Sequence, residues 1–346
     1  MTTQGGWGLP DGVVFDGQRL QQVGPDGEHV AFRDPAAERA AWAAFARRLQ
    51  VERIRAEAAV GVPPPDCLLM DANPPAYRAA VDAFLDHARD SVLHGSLTDT
   101  YLGVNFFLGW VGIVEAHRPL EGARVYASGC GMAGTVLAYH AFGAAEVVGT
   151  EIDDETVRMG RLRTRGLPGV DVRLIDPAEP LPFPDGHFDV VESLDVIEHV
   201  TDLEPYAREL GRVLAPGGVA IVGAPNRMYP VEQHTDVRWV PWLPHRLGGT
   251  VASLGARLPG ATAEQRERRA GVADVRTANI SWRTIEQVAR WMDATPQRLH
   301  RKDHPSWPLN PDPVWVEWLS RQPRGANLAP TRQVIGLLTK SAFARS

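Results

Sequence analysis

The chain has 346 residues, of which 44% are hydrophobic and 23% charged, and its formal net charge at pH 7 is −6. This is the composition of a globular protein with room for one elaborated domain or two modest ones. The acidic balance without a basic block argues against nucleic acid as a partner, and no apolar stretch is long enough to predict a membrane span.

The two cysteines, Cys67 and Cys130, lie far apart in the chain. Their number and spacing fit neither a disulfide framework nor a zinc site, and no other pattern predicts a bound metal. The first twelve residues lack the basic start and apolar run of a signal peptide. Together these features predict a protein of the reducing cytoplasm.

Residues 1–60 are predicted to be an N-terminal addition. Turn signals at Asp16-Gly17 and Pro25-Asp26-Gly27 separate apolar runs that are typical of short strands. Asp34-Pro35 then fits the start of a helix. Three roles stay open for this addition: a homodimerisation arm, a cap over the substrate, or a packing element. The predicted strands are 13–15, 19–23 and 29–32.

Residues 61–95 are predicted to hold a stiff proline-rich linker and a helix over 76–94. From about residue 96 to 346, after a helix over 103–118, strand patterns alternate with helix patterns. Such alternation predicts an α/β fold with a doubly wound, mainly parallel seven-stranded sheet. Its predicted strands are 123–128, 146–151, 171–175, 187–193, 218–224, 297–303 and 332–339, and its predicted helices are 133–142, 154–165, 202–214 and 284–292.

The most informative stretch contains Gly129 and Gly131, between a predicted strand and a predicted helix, and is called the glycine turn below. Glycines allow a sharp turn and the close approach of a ligand. Glu151 ends the next strand, where an acidic side chain can accept hydrogen bonds from both hydroxyls of a ribose. A nucleoside-bearing cofactor is therefore the first hypothesis. Gly134 completes the spacing G-x-G-x-x-G, so the glycines alone leave a dinucleotide open.

Three further motifs follow in order. They are the stretch from Asp176 to Ser193, L-D-V-I-E-H-V at 194–200, and L-G-R-V-L-A-P-G-G at 210–218. Together with the glycine turn, this order resembles the class I S-adenosylmethionine-dependent methyltransferases, in particular their small-molecule branch. The resemblance covers roughly residues 116–226. It implies the Rossmann-like methyltransferase fold, S-adenosyl-L-methionine as cofactor, and a last strand that inserts antiparallel beside its neighbour.

The resemblance also implies roles for six residues. Gly129 and Gly131 would pass under the methionine half of the cofactor, and Glu151 would hold the ribose hydroxyls. Asp176 would lie beside the adenine amino group. Ser193 and Leu194 would line the methyl-transfer side. The alternative is a Rossmann-like sheet that uses another nucleotide.

Ala127 departs from the family pattern. The family usually carries an acidic residue at this position, two before the first glycine, and that carboxylate helps to organise the amino group of the cofactor. Its replacement by alanine leaves two alternatives open beside methyl transfer. One is an enzyme of the same fold that uses the cofactor for other chemistry, and the other is a non-catalytic cofactor-binding protein.

An insertion over about residues 226–280 is predicted to form a lid, because insertions after the carboxyl ends of strands lie over the ligand crevice. Its candidate substrate residues are Asn226, Tyr229, Trp239 and Trp242. The aromatic residues fit an apolar acceptor pocket, although packing within the lid is an equal alternative for them. The missing N-P-P-Y tetrad disfavours nucleic-acid and protein acceptors, so a small molecule methylated at oxygen or nitrogen is predicted. A natural product and a sugar-like compound are the candidate acceptors.

Methyl transfer to a hydroxyl group benefits from a general base whose pKa is near neutrality, which points to histidine. The candidates are His234 in the predicted lid and His199 beyond the fourth strand. The alternatives are a loop histidine bonded to the backbone and a helix-start histidine that caps or packs. Asp195 and Glu198 lie close in sequence, but a solvated helix face is favoured over a magnesium site.

Overall fold

The computed structural model describes most of the central and C-terminal chain and short pieces of the N-terminal part. The described residues are 13–15, 20–30, 73–86, 89, 97–98, 101–103, 105–231, 237–243, 247, 250–251, 280–299, 314–322, 325, 327–331 and 333–342. The predicted helix after Asp34-Pro35, the proline-rich linker and most of the predicted lid lie outside these residues.

Ten strands and seven α-helices are found in the described residues. The strands are β1 (Val13–Phe15), β2 (Leu20–Val23), β3 (His29–Val30), β4 (Arg124–Ser128), β5 (Glu146–Glu151), β6 (Val170–Leu174), β7 (Phe188–Leu194), β8 (Leu214–Pro225), β9 (Ala294–Arg298) and β10 (Gln333–Lys340). The helices are α1 (Pro75–Phe84), α2 (Asn105–His117), α3 (Gly134–Ala141), α4 (Asp154–Thr164), α5 (Leu203–Val213), α6 (Trp282–Trp291) and α7 (Val314–Arg321).

The central sheet has seven strands in the order β6-β5-β4-β7-β8-β10-β9. Strands β4 to β8 pair in parallel, whereas β10 runs antiparallel to both of its neighbours. The predicted α/β fold, with its mainly parallel sheet and antiparallel last strand, is therefore confirmed. Strands β1, β2 and β3 form a separate three-stranded antiparallel sheet near the N-terminus.

Helices cover both faces of the central sheet. Successive side chains of a strand point to opposite faces, so neighbouring residues of one strand show what covers each face. On β4, Val125 and Ala127 belong to the buried cluster that includes residues of α2 and α3. Tyr126, between them, belongs to the cluster that includes residues of α5 and α6. A third cluster joins α1 to α4 through Tyr77, Val81 and Met159 among others. Both faces of the parallel strands are therefore buried, as expected for this architecture.

Two strand starts differ from the sequence prediction by three residues or more. Strand β8 starts at Leu214 rather than at 218, and it pairs with Phe188 of β7 across a register shift. Strand β9 starts at Ala294 rather than at 297, so Pro296 lies inside it, opposite Leu338. Proline lacks a backbone donor, but an edge strand tolerates it. The predicted continuation of β9 to residue 303 lies outside the described residues beyond Leu299.

Candidate functional site

The glycine turn lies at the carboxyl edge of the sheet, between β4 and α3. Gly129 and Gly131 both have positive φ angles, 62° and 54°. A Cβ atom on Gly131 would meet nothing within 4 Å, whereas one on Gly129 would lie 2.5 Å from Val196 Cγ2. Gly131 therefore borders open space that a ligand can fill, and Gly129 is packed against the segment that follows β7.

Glu151 ends β5 and meets this turn. Gly131 N donates to Glu151 Oε1 at 2.7 Å, and Ile152 N donates to Glu151 Oε2 at 3.1 Å. Cys130 N donates to Thr150 O at 3.1 Å, which holds the turn against the end of β5. A half-buried carboxylate that already accepts from amides at this edge is placed to accept from the hydroxyls of a ligand.

Exposed apolar side chains flank the Glu151 carboxylate. Ile152 is 64% exposed, and Leu174, the Cα partner of Glu151 on β6, is 47% exposed. Asp176 follows two residues later, and its exposed carboxylate accepts from Ala178 N at 2.9 Å. An apolar surface beside a ribose-binding carboxylate suits a flat base, because ligand pockets combine apolar walls with a few placed polar groups.

The side chain of Ser193 is engaged within the protein at the end of β7. Ser193 is fully buried, and its hydroxyl lies 2.8 Å from that of Tyr206 on α5. Tyr206 in turn donates to Ser128 Oγ at 2.8 Å, so one phenol joins the ends of β4 and β7. A contribution of Ser193 to a cofactor site would therefore come through its backbone. The neighbouring Leu194 is half-buried.

Glu192, near the end of β7, is a buried carboxyl group that sequence reasoning missed. It is 4% exposed, and Thr135 Oγ1 in the first turn of α3 donates to its Oε1 at 2.7 Å. Burial raises the pKa of Glu192 to about 7, although the hydrogen bond from Thr135 opposes this rise. The signal that could have found it is an acidic residue within the apolar strand F-D-V-V-E-S, where burial on both faces is expected.

The raised pKa of Glu192 predicts that the protein loses stability as the pH rises. An unperturbed glutamate ionises near pH 4.5, whereas the folded protein keeps Glu192 neutral up to about pH 7. The folded state therefore binds this proton more tightly, and its contribution to stability falls as pH rises through that window. Between about pH 5 and pH 8, we expect a loss of about 2 kcal/mol in the free energy of unfolding. Denaturant unfolding of Glu192→Gln should lack this loss, and parallel pH profiles of the two proteins would contradict the prediction.

Arg163, on α4, is the second site residue that sequence reasoning missed. It is 3% exposed, and its guanidinium donates to Asn73 Oδ1 at 2.8 Å and to Met132 O at 3.1 Å. It also donates to the carbonyl oxygens of Leu102 and Gly103, at 3.0 and 2.9 Å. Arg163 therefore joins the glycine turn to the segment that precedes α2 and to the start of α1.

The structure describes only one of the two histidines proposed as general base. His199 is exposed, and its Nε2 lies 3.9 Å from Oε1 of the buried Glu198. Its backbone N donates to Val196 O, so it belongs to the segment that packs against Gly129. His234 lies outside the described residues. The structure thus places one candidate base in the segment that contacts the glycine turn.

Asn226, the first predicted substrate residue, is buried and fully engaged. Its Nδ2 donates to Ala329 O at 3.0 Å and to Thr331 Oγ1 at 2.8 Å. Its Oδ1 accepts from Met228 N at 3.0 Å. These bonds join the segment after β8 to the segment before β10. The geometry favours a structural role for this side chain, and a substrate contact stays a prediction.

The three aromatic substrate candidates lie in the described part of the lid. Tyr229 is half-buried, and its N donates to Asn226 O at 3.0 Å. Trp239 and Trp242 are 53% and 46% exposed, and their ring centroids lie 4.8 Å apart. An exposed aromatic pair supplies apolar area that an acceptor can cover. The structure therefore brings the two tryptophans together.

Cys130 lies in the glycine turn but is buried, and burial raises the pKa of its thiol. A neutral, buried thiol fits a packing role rather than that of a nucleophile. Among the residues that the structure describes, no group of three or more His, Cys, Asp or Glu side chains is arranged to hold a metal ion. No described helix is both long enough and apolar enough to cross a membrane.

Comparison with known proteins finds a family match for part of this chain. Residues 127–222 match the family described as "Methyltransferase domain". This segment contains the glycine turn, Glu151, Asp176 and the whole of β7. This part of the chain is therefore similar to a methyltransferase domain, as the sequence resemblance predicts.

Three similar proteins illustrate the match. A probable S-adenosylmethionine-dependent methyltransferase of Mycolicibacterium smegmatis is 42% identical over 33% of this chain and 42% of its own length. A ubiquinone biosynthesis O-methyltransferase of Mesorhizobium japonicum is 32% identical over 40% of this chain and 57% of its own length. A ubiquinone/menaquinone biosynthesis C-methyltransferase of Cupriavidus necator is 30% identical over 43% of this chain and 61% of its own length. The chain thus spans about half the length of these relatives.

One solved structure is that of an S-adenosylmethionine-dependent methyltransferase from Mesorhizobium loti. It superposes with a TM-score of 0.45 at 15% sequence identity, and the alignment covers 69% of this chain and all of that chain.

Proposed function

We propose that this protein binds S-adenosyl-L-methionine at the glycine turn and transfers its methyl group to a small-molecule acceptor, at oxygen or nitrogen. The observation that carries this proposal is the contact between Gly131 and Glu151, which joins an open turn to a carboxylate at 2.7 Å. In this proposal the ribose hydroxyls of the adenosine contact Glu151, and its base covers Ile152 and Leu174, whose side chains are exposed.

The chemistry asks mainly for alignment by the protein. When bound, the cofactor supplies a methyl group on a positively charged sulfur, which leaves as a neutral thioether. The chain must therefore hold the acceptor atom in line and exclude water. Trp239 and Trp242 are the proposed walls of the acceptor pocket. The relatives named above include one O-methyltransferase and one C-methyltransferase of quinone biosynthesis, which supports a small organic acceptor.

Replacing Glu151 tests cofactor binding directly. We expect Glu151→Ala to weaken S-adenosylmethionine binding by about 1.5–3 kcal/mol, or roughly tenfold to a hundredfold, because the ribose loses charge-assisted hydrogen bonds. Isothermal titration calorimetry provides the measurement. Asp154→Ala is the matched control, since it removes an exposed carboxylate three residues away. Equal affinities for Glu151→Ala and the wild type would show that the ribose is held elsewhere.

Replacing the histidines tests acceptor activation. If a histidine acts as general base, its glutamine variant should lower kcat about a hundredfold and leave the Kd for S-adenosylmethionine unchanged. His199→Gln and His234→Gln are measured separately. His187→Gln is the control, because its Nε2 lies 2.9 Å from Glu146 at the opposite end of β5. Wild-type rates in both test variants would remove histidine from the mechanism.

A transfer assay separates methyl transfer from the alternatives. The protein is incubated with methyl-labelled S-adenosylmethionine and a panel of phenols, hydroxyquinones, amines and sugars, and labelled product is measured together with S-adenosylhomocysteine. Label in a product supports methyl transfer. Cofactor binding without label in any product would favour an enzyme of the same fold with other chemistry or a non-catalytic binding protein. Absence of binding would contradict all three readings.

A further inference from the structure

A buried carboxyl group lies on β7, beside the strand that leads into the glycine turn. Glu192 is the Cα partner of Ala127 in the parallel pair of β7 and β4. Ala127 is fully buried and belongs to the same cluster as Val190, two residues before Glu192, so both side chains belong to one face of the sheet. Because alanine is small, the space beside it is available to the longer glutamate side chain.

The Glu192 side chain contacts the helix that follows the turn. Thr135 Oγ1, in the first turn of α3, donates to Glu192 Oε1 at 2.7 Å. Helix N-termini carry partial positive charge, which favours a nearby carboxylate. The second oxygen, Oε2, is buried and has no hydrogen-bond partner within 3.5 Å among the described residues. The buried hydroxyl of Tyr139, also on α3, interacts with the same carboxyl group. Glu192 is thus bonded to the first turn of α3, and its second oxygen makes no short hydrogen bond.

No cationic side chain of the described residues is found to stabilise the ionised form of Glu192. The ionisable groups that influence it or are influenced by it are Tyr139 on α3, Asp195 just beyond its own strand, and Cys130 in the turn. Its Cα partners on the two neighbouring strands, Ala127 and Ile221, cannot ionise. A buried acid without a counter-cation lowers stability, and such groups concentrate at functional sites.

We propose that Glu192 is the positioning residue whose negative charge, held by Thr135 at the first turn of α3, favours the cationic half of the bound cofactor. It takes over the charge that a residue at position 127 would otherwise supply. This inference rests on the proposed cofactor, S-adenosylmethionine, which carries a sulfonium and an ammonium group. The adenosine half is neutral and is assigned to Glu151. Glu151 therefore acts on the adenosine half of the ligand, and Glu192 acts on the cationic half.

A cation bound near Glu192 must favour the ionised carboxylate. The free protein carries a partly protonated Glu192 near neutral pH, so binding should release a proton. Affinity for the cationic ligand should then rise with pH more steeply in the wild type than in a variant that lacks the carboxylate. Comparison with that variant cancels the titration of the ligand's own amino group.

The test compares S-adenosylmethionine with adenosine, by isothermal titration calorimetry on the full chain at about pH 8. We expect Glu192→Gln to weaken S-adenosylmethionine about tenfold, as for a unit charge removed several ångströms away in a partly buried site. Adenosine, which lacks both charges, should bind both proteins equally. Glu151→Ala should instead weaken both ligands. A second titration near pH 6.5, where much of Glu192 is protonated in the free protein, in buffers of different ionisation enthalpy should show more proton release in the wild type than in Glu192→Gln.

Moving the carboxylate from position 192 on β7 to position 127 on β4 tests whether the lost affinity can be restored. The double variant Ala127→Asp with Glu192→Gln should regain most of the lost affinity, because it restores one negative charge on the same face of the sheet. Asp171→Asn, which removes an exposed carboxylate from β6, should leave both ligands unaffected. If Glu192→Gln does not fold, Thr135→Val replaces it and should weaken S-adenosylmethionine about fivefold through loss of the hydrogen bond.

Three outcomes overturn the inference. The first is equal S-adenosylmethionine affinity in wild type and Glu192→Gln, and the second is an equal loss for adenosine, which would mark a purely structural role. The third is a double variant no better than Glu192→Gln. Each of these leaves the proposed function intact as long as the wild type binds S-adenosylmethionine in a Glu151-dependent way. A wild type that binds no S-adenosylmethionine would overturn both proposals.

Discussion

Replacing Arg163 by methionine should lower the free energy of unfolding by about 4 kcal/mol. The guanidinium is buried, and the carbonyl oxygens of Met132 and Gly103 and the side-chain oxygen of Asn73 accept from it. Methionine would remove the Arg163 hydrogen bond from each of these buried or part-buried oxygens, and each such loss costs about 1–3 kcal/mol. Leu102 O would keep the bond from Asn73 Nδ2 at 2.7 Å, which limits the total.

The same change should affect the glycine turn. Arg163 binds Met132 O within the turn and also lies over the ring of Tyr77 on α1, with its Cζ 5.0 Å from the ring centroid. Removing it frees one side of the turn, so cofactor affinity should fall together with stability. Arg163→Lys should not rescue either property, because an ammonium cannot reproduce the planar array of donors.

Arg161→Met is the matched control for this prediction. Arg161 lies two residues earlier on α4 and is exposed, and its Nε donates to Val172 O at 2.8 Å. We expect this variant to lose less than about 1 kcal/mol. Chemical denaturation of the three variants provides the comparison. Similar losses for Arg161→Met and Arg163→Met would show that the buried network contributes little.

The backbone of the site was predictable from the sequence because its signals are local. The turn needs glycine at positive φ, and Gly129 and Gly131 provide it. Apolar runs of five to seven residues between helix patterns predict parallel strands, and the end of β5 at Glu151 follows from where its apolar run stops. These features depend on residues that are neighbours in the chain, so the pattern alone locates them.

The buried residues that support the site, Arg163 and Glu192, could not be predicted in the same way. Arg163 stands in R-L-R-T-R-G, where any of three arginines fits a solvated helix face, and its partner Asn73 lies 90 residues away. The role of Glu192 depends on the neighbouring strand, which places Ala127 beside it. Such contacts arise from the arrangement of distant elements. Only the acidic residue inside an apolar strand gives a sequence signal, and that signal does not name its partners.

Gly129→Ala should lower the free energy of unfolding by about 3 kcal/mol and abolish measurable cofactor binding. An L-residue at φ 62° costs about 1–2 kcal/mol. In addition, the new Cβ would lie 2.5 Å from Val196 Cγ2, a branched side chain with little freedom to move. Overpacking of this kind typically costs a further 1–3 kcal/mol. The turn would therefore shift away from the end of β7.

Gly131→Ala tests whether the open space beside this residue holds the ligand, without disturbing the packing of the protein. Its φ of 54° imposes a similar backbone cost, but its Cβ would meet no protein atom within 4 Å. We expect a loss of only about 1–2 kcal/mol in stability, while S-adenosylmethionine binding falls at least about tenfold because the methyl group enters the space proposed for the ligand. Thermal unfolding and calorimetric titration of both alanine variants test this. If Gly131→Ala binds the cofactor as tightly as the wild type, the open space beside Gly131 is not the ligand site, and the proposed position of the methionine half must be abandoned.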